Sequence, residues 1–147
     1  MNFTFHNPTQ LIFGAGTVLQ LGEIVRTYGK KALLVTGGGS VKRNGTFDRA
    51  VASLNAAGIA VVECSGVEPN PRLSSVVKGA EIARAEQCDV VIALGGGSTM
   101  DAAKVIAAAV FYDGDLWDMF PHGQAERRLP TRALPIITVP TLAATGS

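Results

Sequence analysis

Val90-Val91-Ile92-Ala93-Leu94-Gly95-Gly96-Gly97-Ser98-Thr99-Met100-Asp101 is the stretch from which the rest of the chain is read. Its apolar half, rich in β-branched residues, predicts a strand buried on both faces. The glycines follow, and Ser98-x-x-Asp101 then opens the small-residue run Ala102 to Val110 with a capping-box pattern that starts a helix at Ser98. A buried strand that turns into a helix without side chains leaves bare amides at a helix N-terminus, and such amides hold anions. The stretch therefore predicts a phosphate cradle on Gly95, Gly96, Gly97 and Ser98. It is not the G-x-G-x-x-G fingerprint, because Met100 stands where the third glycine would be, and it is not a P-loop, which needs Lys-Ser/Thr after its last glycine. A tight turn needs one or two glycines, so an unbroken run of them favours close approach by a ligand.

The composition narrows the class. The 147 residues, 47% hydrophobic and 17% charged, suit one globular α/β domain. A net charge of +1 makes no field for nucleic acid or an anionic membrane, and no Lys/Arg run stands beside the few aromatics. No stretch of about twenty apolar residues occurs. Met1 to His6 lacks the basic start and apolar core of a signal peptide, so a cytoplasmic protein is expected, with Cys64 and Cys88 as reduced, semi-buried thiols.

In chain order, Phe3-Thr4-Phe5 and Leu11-Ile12-Phe13 read as a short strand pair, joined through Asn7-Pro8-Thr9. Thr17-x-x-Gln20 opens a helix with Val18, Leu21, Val25 and Tyr28 on one face, stopped by Gly29. Ala32 to Thr36 is a buried strand running into Gly37-Gly38-Gly39-Ser40. Phe47, Ala50, Val51, Leu54 and Ala57 keep helical spacing before Gly58, and Ile59 to Val62 is the next strand. In Glu68-Pro69-Asn70-Pro71, Asn70 can cap a helix beginning at Pro71, with Leu73, Val76, Val77, Ala80 and Ala83 inward. Beyond the central strand and helix come a partly helical link from Asp113 to Phe120 and a solvated charge run, Glu126-Arg127-Arg128. A last strand, Pro135 to Val139, leads into Pro140-Thr141-Leu142-Ala143-Ala144-Thr145-Gly146-Ser147.

Strands alternating with helices imply a Rossmann-like parallel sheet covered on both faces, with every strand-to-helix turn at one edge. Ligands of such sheets bind beyond the carboxyl ends of the strands. Both glycine turns, the Asn70 connector and the Thr141 to Ser147 tail follow predicted strands and should converge on one crevice for a mononucleotide or dinucleotide. Asp113 and Asp115 lie at the usual spacing of a ribose-binding acid after Gly95, but no predicted strand separates them from the turn, so the match is discarded.

Gly95-Gly96-Gly97-Ser98-x-x-Asp101-x-x-Lys104, Glu68-Pro69-Asn70-Pro71, Pro140-Thr141-x-x-x-Thr145-Gly146-Ser147 and the opening Asn7-Pro8-Thr9-x-Leu11-x-Phe13-Gly14 together resemble the group III, or iron-containing, alcohol dehydrogenases. Gly37-Gly38-Gly39-Ser40-Val41-Lys42 is similar to the NADPH-dependent butanol dehydrogenase and aldehyde reductase branch. The likeness runs the length of the chain. It implies a dehydroquinate-synthase-like N-terminal cofactor domain over residues 1–147. A second, all-helical domain is expected after residue 147, carrying an Asp and three His for a divalent metal, iron or zinc. This chain has only His6 and His122, in unrelated segments, so the resemblance implies no metal ligand and no catalytic residue here, and an inactive fragment.

On the same resemblance, Gly95 to Ser98 would hold the pyrophosphate and Asp101 would stand on the nicotinamide-ribose side. Lys104 lies one turn further on. Asn70 would contact ribose, and Thr138, Thr141, Leu142 and Thr145 would flank adenine, ribose and phosphate. Gly37, Gly38, Gly39, Ser40 and Lys42 would form the adenosine-ribose turn. NAD-using relatives carry an Asp near the Gly38-Gly39 position; here no acid lies between Lys30 and Asp48, and Lys42 and Arg43 follow the turn. That chemistry favours the 2′-phosphate of NADP(H). The implied reaction is hydride transfer between NADP(H) and a primary alcohol or aldehyde, by a homodimer joined through the N-terminal strands. The alternatives are a dehydroquinate-synthase-like lyase or glycerol dehydrogenase-like domain using NAD and zinc, an ATP-binding kinase domain, and a binding domain without activity.

Overall fold

Parallel strands must be joined by crossovers, and the buried strand-turn-helix units of this chain supply them. A computed structural model describes residues 1–120, 128 and 130–143. A 3-10 turn, Thr17–Gln20, leads into α1 (Leu21–Arg26), followed by β1 (Lys31–Thr36), α2 (Ser40–Arg43), α3 (Thr46–Ala56) and β2 (Ala60–Cys64). Then come α4 (Leu73–Ala85), β3 (Val90–Gly95), α5 (Gly97–Ala109), a 3-10 turn at Leu116–Met119 and β4 (Ile136–Pro140). The strands form one parallel sheet in the order β2-β1-β3-β4.

Alternation along the two central strands divides the core. Leu33, Val35, Val91 and Ala93 pack with Val76, Ala83, Ala103 and Ile106 of α4 and α5. Ala32, Leu34, Val90, Ile92 and Leu94 face the opposite way, onto Leu21, Val25, Val41 and Leu54 of α1, α2 and α3. Val90 to Leu94 are fully buried, as a strand covered on both faces requires. Asp89 ties the lower end of the sheet, accepting hydrogen bonds from the backbone N–H groups of Lys30 and Lys31 at 2.8 and 2.9 Å. Cys64 and Cys88 are free, as expected, and buried where semi-buried thiols were expected.

Several local expectations are corrected. Residues 1–13 form no strand in the single chain, and Phe3, Phe5, Leu11 and Phe13 are exposed: a strand needs a ladder partner, and these residues pair with none of the described strands. The central helix begins at Gly97 with Gly96 at its cap, not at Ser98. The helix after Pro71 begins at Leu73 with Arg72 at its cap, because Asn70 takes a left-handed backbone (φ 54°). On α4 the packed position is Gly79 and not Val77, which is exposed: the helix turns its small residues toward Ile106 of α5. Tyr28 lies past the end of α1 and is exposed. The link to Phe120 is partly helical, as expected. Of the charge run only Arg128 is described; it is exposed, and its N–H bonds the Asp118 carbonyl at 2.8 Å. Glu126 and Arg127 lie outside the described residues.

Helix α1 reaches α3 through a residue without a side chain. A Cβ on Gly22 would stand 2.1 Å from the Ser53 carbonyl oxygen, while the Gly22 N–H donates to Ser53 Oγ at 3.0 Å. Gly22→Ala should therefore destabilise by about 1–3 kcal/mol, read from urea denaturation. Burial also pushes the Cys88 thiol from 9.0 up to about 11, so the folded state keeps that proton longer than the unfolded chain does. The stabilisation is complete below the unfolded value and is lost as pH rises through the folded one. The stability difference between wild type and Cys88→Ala should shrink across the interval from 9.0 to about 11.

Candidate nucleotide site

The direction of winding reverses between β1 and β3. From β1 the chain crosses to β2 on one side, and from β3 to β4 on the other. The two strands end level, Thr36 opposite Leu94, so both glycine turns leave the sheet side by side at the crevice where open α/β sheets bind ligands. The other two segments are tied to the same edge. Val67 N–H donates to the Thr36 carbonyl at 3.1 Å, Asn70 N–H to Ser98 Oγ at 3.3 Å, and Thr141 N–H to the Gly95 carbonyl at 2.9 Å. The expected convergence is present for both turns, the Asn70 connector and the start of the tail at Thr141; residues 144–147 lie outside the described residues.

Each turn uses its glycines differently. A Cβ on Gly95 would stand 2.6 Å from Thr99 Oγ1, and one on Gly37 would stand 3.3 Å from the same oxygen, so buried Thr99 is wedged between the turns. Gly39 caps α2 with φ 97°, a left-handed conformation that favours glycine. Gly38 and Gly96 differ from these. A Cβ on either would meet nothing within 4 Å, and the Gly96 backbone (φ −89°, ψ −170°) is open to any residue. The fold gives no reason for glycine there, whereas a ligand pressed against the backbone does.

At this point α5 starts without a side-chain cap, so its first amides are uncommitted to any side chain and lie at the positive end of a helix of 13 residues. The hydroxyl of Thr36, fully buried at the end of β1, has no hydrogen-bond partner among the described residues. Open backbone over the turns, bare amides and an orphaned hydroxyl fit a phosphate-bearing nucleotide.

The remaining expected residues are distributed as follows. The hydroxyl of Ser98, expected as a cap, receives the Asn70 amide instead. Asp101 is exposed on the second turn of α5 and lies 3.7 Å from Lys104 Nζ, one turn on, so it does not cap the helix. Thr141 and Leu142 are exposed at the end of β4. Thr138 is exposed but sits within the strand, opposite Ala93, below the mouth of the crevice. Thr145 lies outside the described residues, as does His122; His6 is exposed. Asp115 caps the turn at Leu116–Met119, accepting from Trp117 N–H at 2.9 Å, which gives it a local role away from the crevice.

Two features were missed by sequence reasoning. Thr99 carries no signal beyond its place after the glycines. Glu63 carries one: it lies near the end of the strand after the first glycine turn, where the rule for ribose-binding acids looks. Its carboxylate pairs with Lys42 Nζ, which also sits 4.6 Å over the Phe47 ring. The hydrogen bond from Lys42 holds the Glu63 carboxyl below its ordinary value, against partial burial and aided by a bond to Ser65. A cavity of about 630 Å³ lies along α4 and the residues following α5, and includes no residue of either turn.

The sequence model of the iron-containing alcohol dehydrogenases matches residues 8–147. A probable NADH-dependent butanol dehydrogenase 1 of Bacillus subtilis is 52% identical over 146 residues, 99% of this chain and 37% of that protein. The NADPH-dependent aldehyde reductase YqhD of Escherichia coli is 36% identical over 148 residues, 99% of this chain and 37% of that protein. Among solved structures, an NADH-dependent butanol dehydrogenase A of Thermotoga maritima superposes with a TM-score of 0.92 at 46% identity, covering 98% of this chain and 35% of that one. The chain thus spans little more than a third of the length of the relatives it matches.

Gly96→Ser separates packing from binding. A serine at this helix cap fits the backbone and is a better cap than glycine. The melting temperature should hold or rise, while dinucleotide affinity, read by calorimetric titration of the full-length protein, should fall about tenfold or more.

Proposed function

The chain belongs to the iron-containing alcohol dehydrogenase family, and from that premise we propose that it is the cofactor-binding part of an enzyme interconverting a primary alcohol and its aldehyde. The observation that carries this reading is Gly96, glycine without a structural cause at the uncapped start of α5, set at the winding reversal of the sheet. When bound, a nicotinamide dinucleotide supplies or accepts the hydride. The protein supplies placement.

In this reading the amides of Gly96, Gly97 and Ser98 hold the pyrophosphate, with Gly95 keeping the turn close to Thr99. Asp101 stands toward the nicotinamide ribose. Asn70, pinned to Ser98, meets ribose, and Thr141 and Leu142, with Thr138 and Thr145, border the adenosine half. Gly37, Gly38, Gly39 and Ser40 pass under the adenosine ribose. The relatives named above divide between NADH and NADPH, so the local residues of this turn carry the choice. We read it as NADP(H): Gly38 is open, and the Arg43 guanidinium lies against Gly39, its Nη1 3.3 Å from where a Cβ would stand. No side-chain partner occupies Arg43 among the described residues.

The described residues do not fit the family's metal. No group of three or more His, Cys, Asp or Glu gathers among them, so no step is assigned to a metal here. Residues 1–147 alone are accordingly expected to bind cofactor and not to turn over alcohol. Exposed Phe3, Phe5, Leu11 and Phe13 suit pairing with a second copy of the chain. No described helix is long and apolar enough to cross a membrane.

Gly38→Asp tests the cofactor reading without strain, since its side chain enters open space, whereas Asp at Gly39 would have to adopt φ 97° beside Arg43. In the full-length enzyme NADP(H) affinity should fall about tenfold or more while NAD(H) affinity holds or improves, through like-charge repulsion of the 2′-phosphate. Equal loss of both would remove the account of selectivity.

A further inference from the structure

Glu63 belongs to no motif of the chain, yet the fold brings it to the flank of the first glycine turn. It stands on the edge strand β2 opposite Leu34, and its carboxylate bonds the ammonium of Lys42, the third residue of α2. Phe47 lies under that ammonium at 4.6 Å. Both members of the pair keep contact with solvent, the side chains of Lys42 and Glu63 being 45% and 38% exposed. A pair this open is held by little net free energy and can be parted by a competing anion.

The neighbouring cation is placed differently. Arg43 lies against Gly39 and has no carboxylate partner among the described residues. The turn therefore offers one cation without a partner and one held by an acid. A carboxylate in this quarter of a doubly wound sheet disfavours a 2′-phosphate, and a cation there favours it. Glu63 is a carboxylate beside that turn, and its bond to Lys42 occupies a cation that could otherwise meet such a phosphate.

We propose that Glu63 is a specificity-determining positioning residue: by holding Lys42 it keeps that ammonium from the 2′-phosphate and so sets the preference between NADP(H) and NAD(H). The inference rests on the dinucleotide reading above and deepens it. With the pair closed, Arg43 alone faces the phosphate. With the carboxylate removed, Lys42 joins it, and the repulsion from Glu63 disappears with the same change. NAD(H), lacking the phosphate, gains nothing from either effect.

The test is direct titration of full-length protein with NADPH and with NADH, without substrate, following nicotinamide fluorescence. Glu63→Gln, nearly isosteric, should lower the Kd for NADPH about tenfold and leave that for NADH within about twofold. Glu63→Asp, which keeps the charge, should retain the wild-type ratio. In a Lys42→Met background the gain from Glu63→Gln should vanish, which a merely structural role of Glu63 would not produce. Circular dichroism verifies folding, and Glu63→Ser serves as a second neutral variant should Glu63→Gln misfold. An unchanged ratio in the neutral variants, with both cofactors still bound, overturns the inference alone. A gain that persists without Lys42 overturns it too. A wild-type protein that binds neither dinucleotide overturns the functional reading, and the inference with it.

Discussion

Two neighbouring strands, β1 and β3, end level, and the chain leaves them in opposite directions. Everything at the candidate site depends on this register. Because Thr36 pairs with Leu94, the first glycine turn and the second emerge at the same height, near enough for Thr99 to fill the space between them. A shift of one residue would carry the turns apart and turn every side chain of one strand to the other face. Such a slip is opposed by both cores at once, since Leu33 and Val35 are buried on one face of the sheet and Ala32 and Leu34 on the other. The burial that holds the fold therefore also holds the geometry of the crevice.

The glycines divide into those required by the protein and those that the protein alone does not require. Gly37 and Gly95 make room for Thr99, Gly39 takes a left-handed backbone, and Gly22 and Gly79 let helices approach each other. Gly38 and Gly96 serve none of these purposes. A count of glycines in the sequence cannot make this separation, because it depends on where a Cβ would fall in three dimensions. The separation turns a suggestive GGG motif into a specific expectation about which amides face a ligand.

The strands, the helices and the common edge were legible in the sequence because burial on both faces leaves a plain apolar run and helical spacing repeats within one segment. The capping assignments were less so. Ser98 and Asn70 both have the chemistry of helix caps, but in the fold neither side chain caps its helix, and the Ser98 hydroxyl accepts from the backbone N–H of Asn70 across segments instead. A short polar side chain chooses between local and distant partners by geometry that local spacing does not contain. The Lys42–Glu63 pair was hidden for a related reason: no acid lies between Lys30 and Asp48, but parallel pairing of β1 with β2 delivers one from further along the chain. At the N-terminus the composition of Phe3 to Phe13 reads as strand, yet strand formation depends on a ladder partner, and these residues pair with none of the described strands of the single chain.

The small residues of α5 have a consequence for the site as well as for the core. Ala102, Ala103, Ala107 and Ala109 are almost fully buried, and Gly79 of α4 faces Ile106 closely enough that a Cβ would stand 2.5 Å from its Cδ1. Slender side chains bring the helix axis close to the sheet and to α4, so the position of its first turn is set by packing on several sides. The electrostatic benefit of a helix N-terminus falls off within about one turn. Amides that wandered would contribute little to holding a diphosphate. Alanine on the buried face of α5 and glycine at its mouth thus answer the same demand, a helix end held still and left bare.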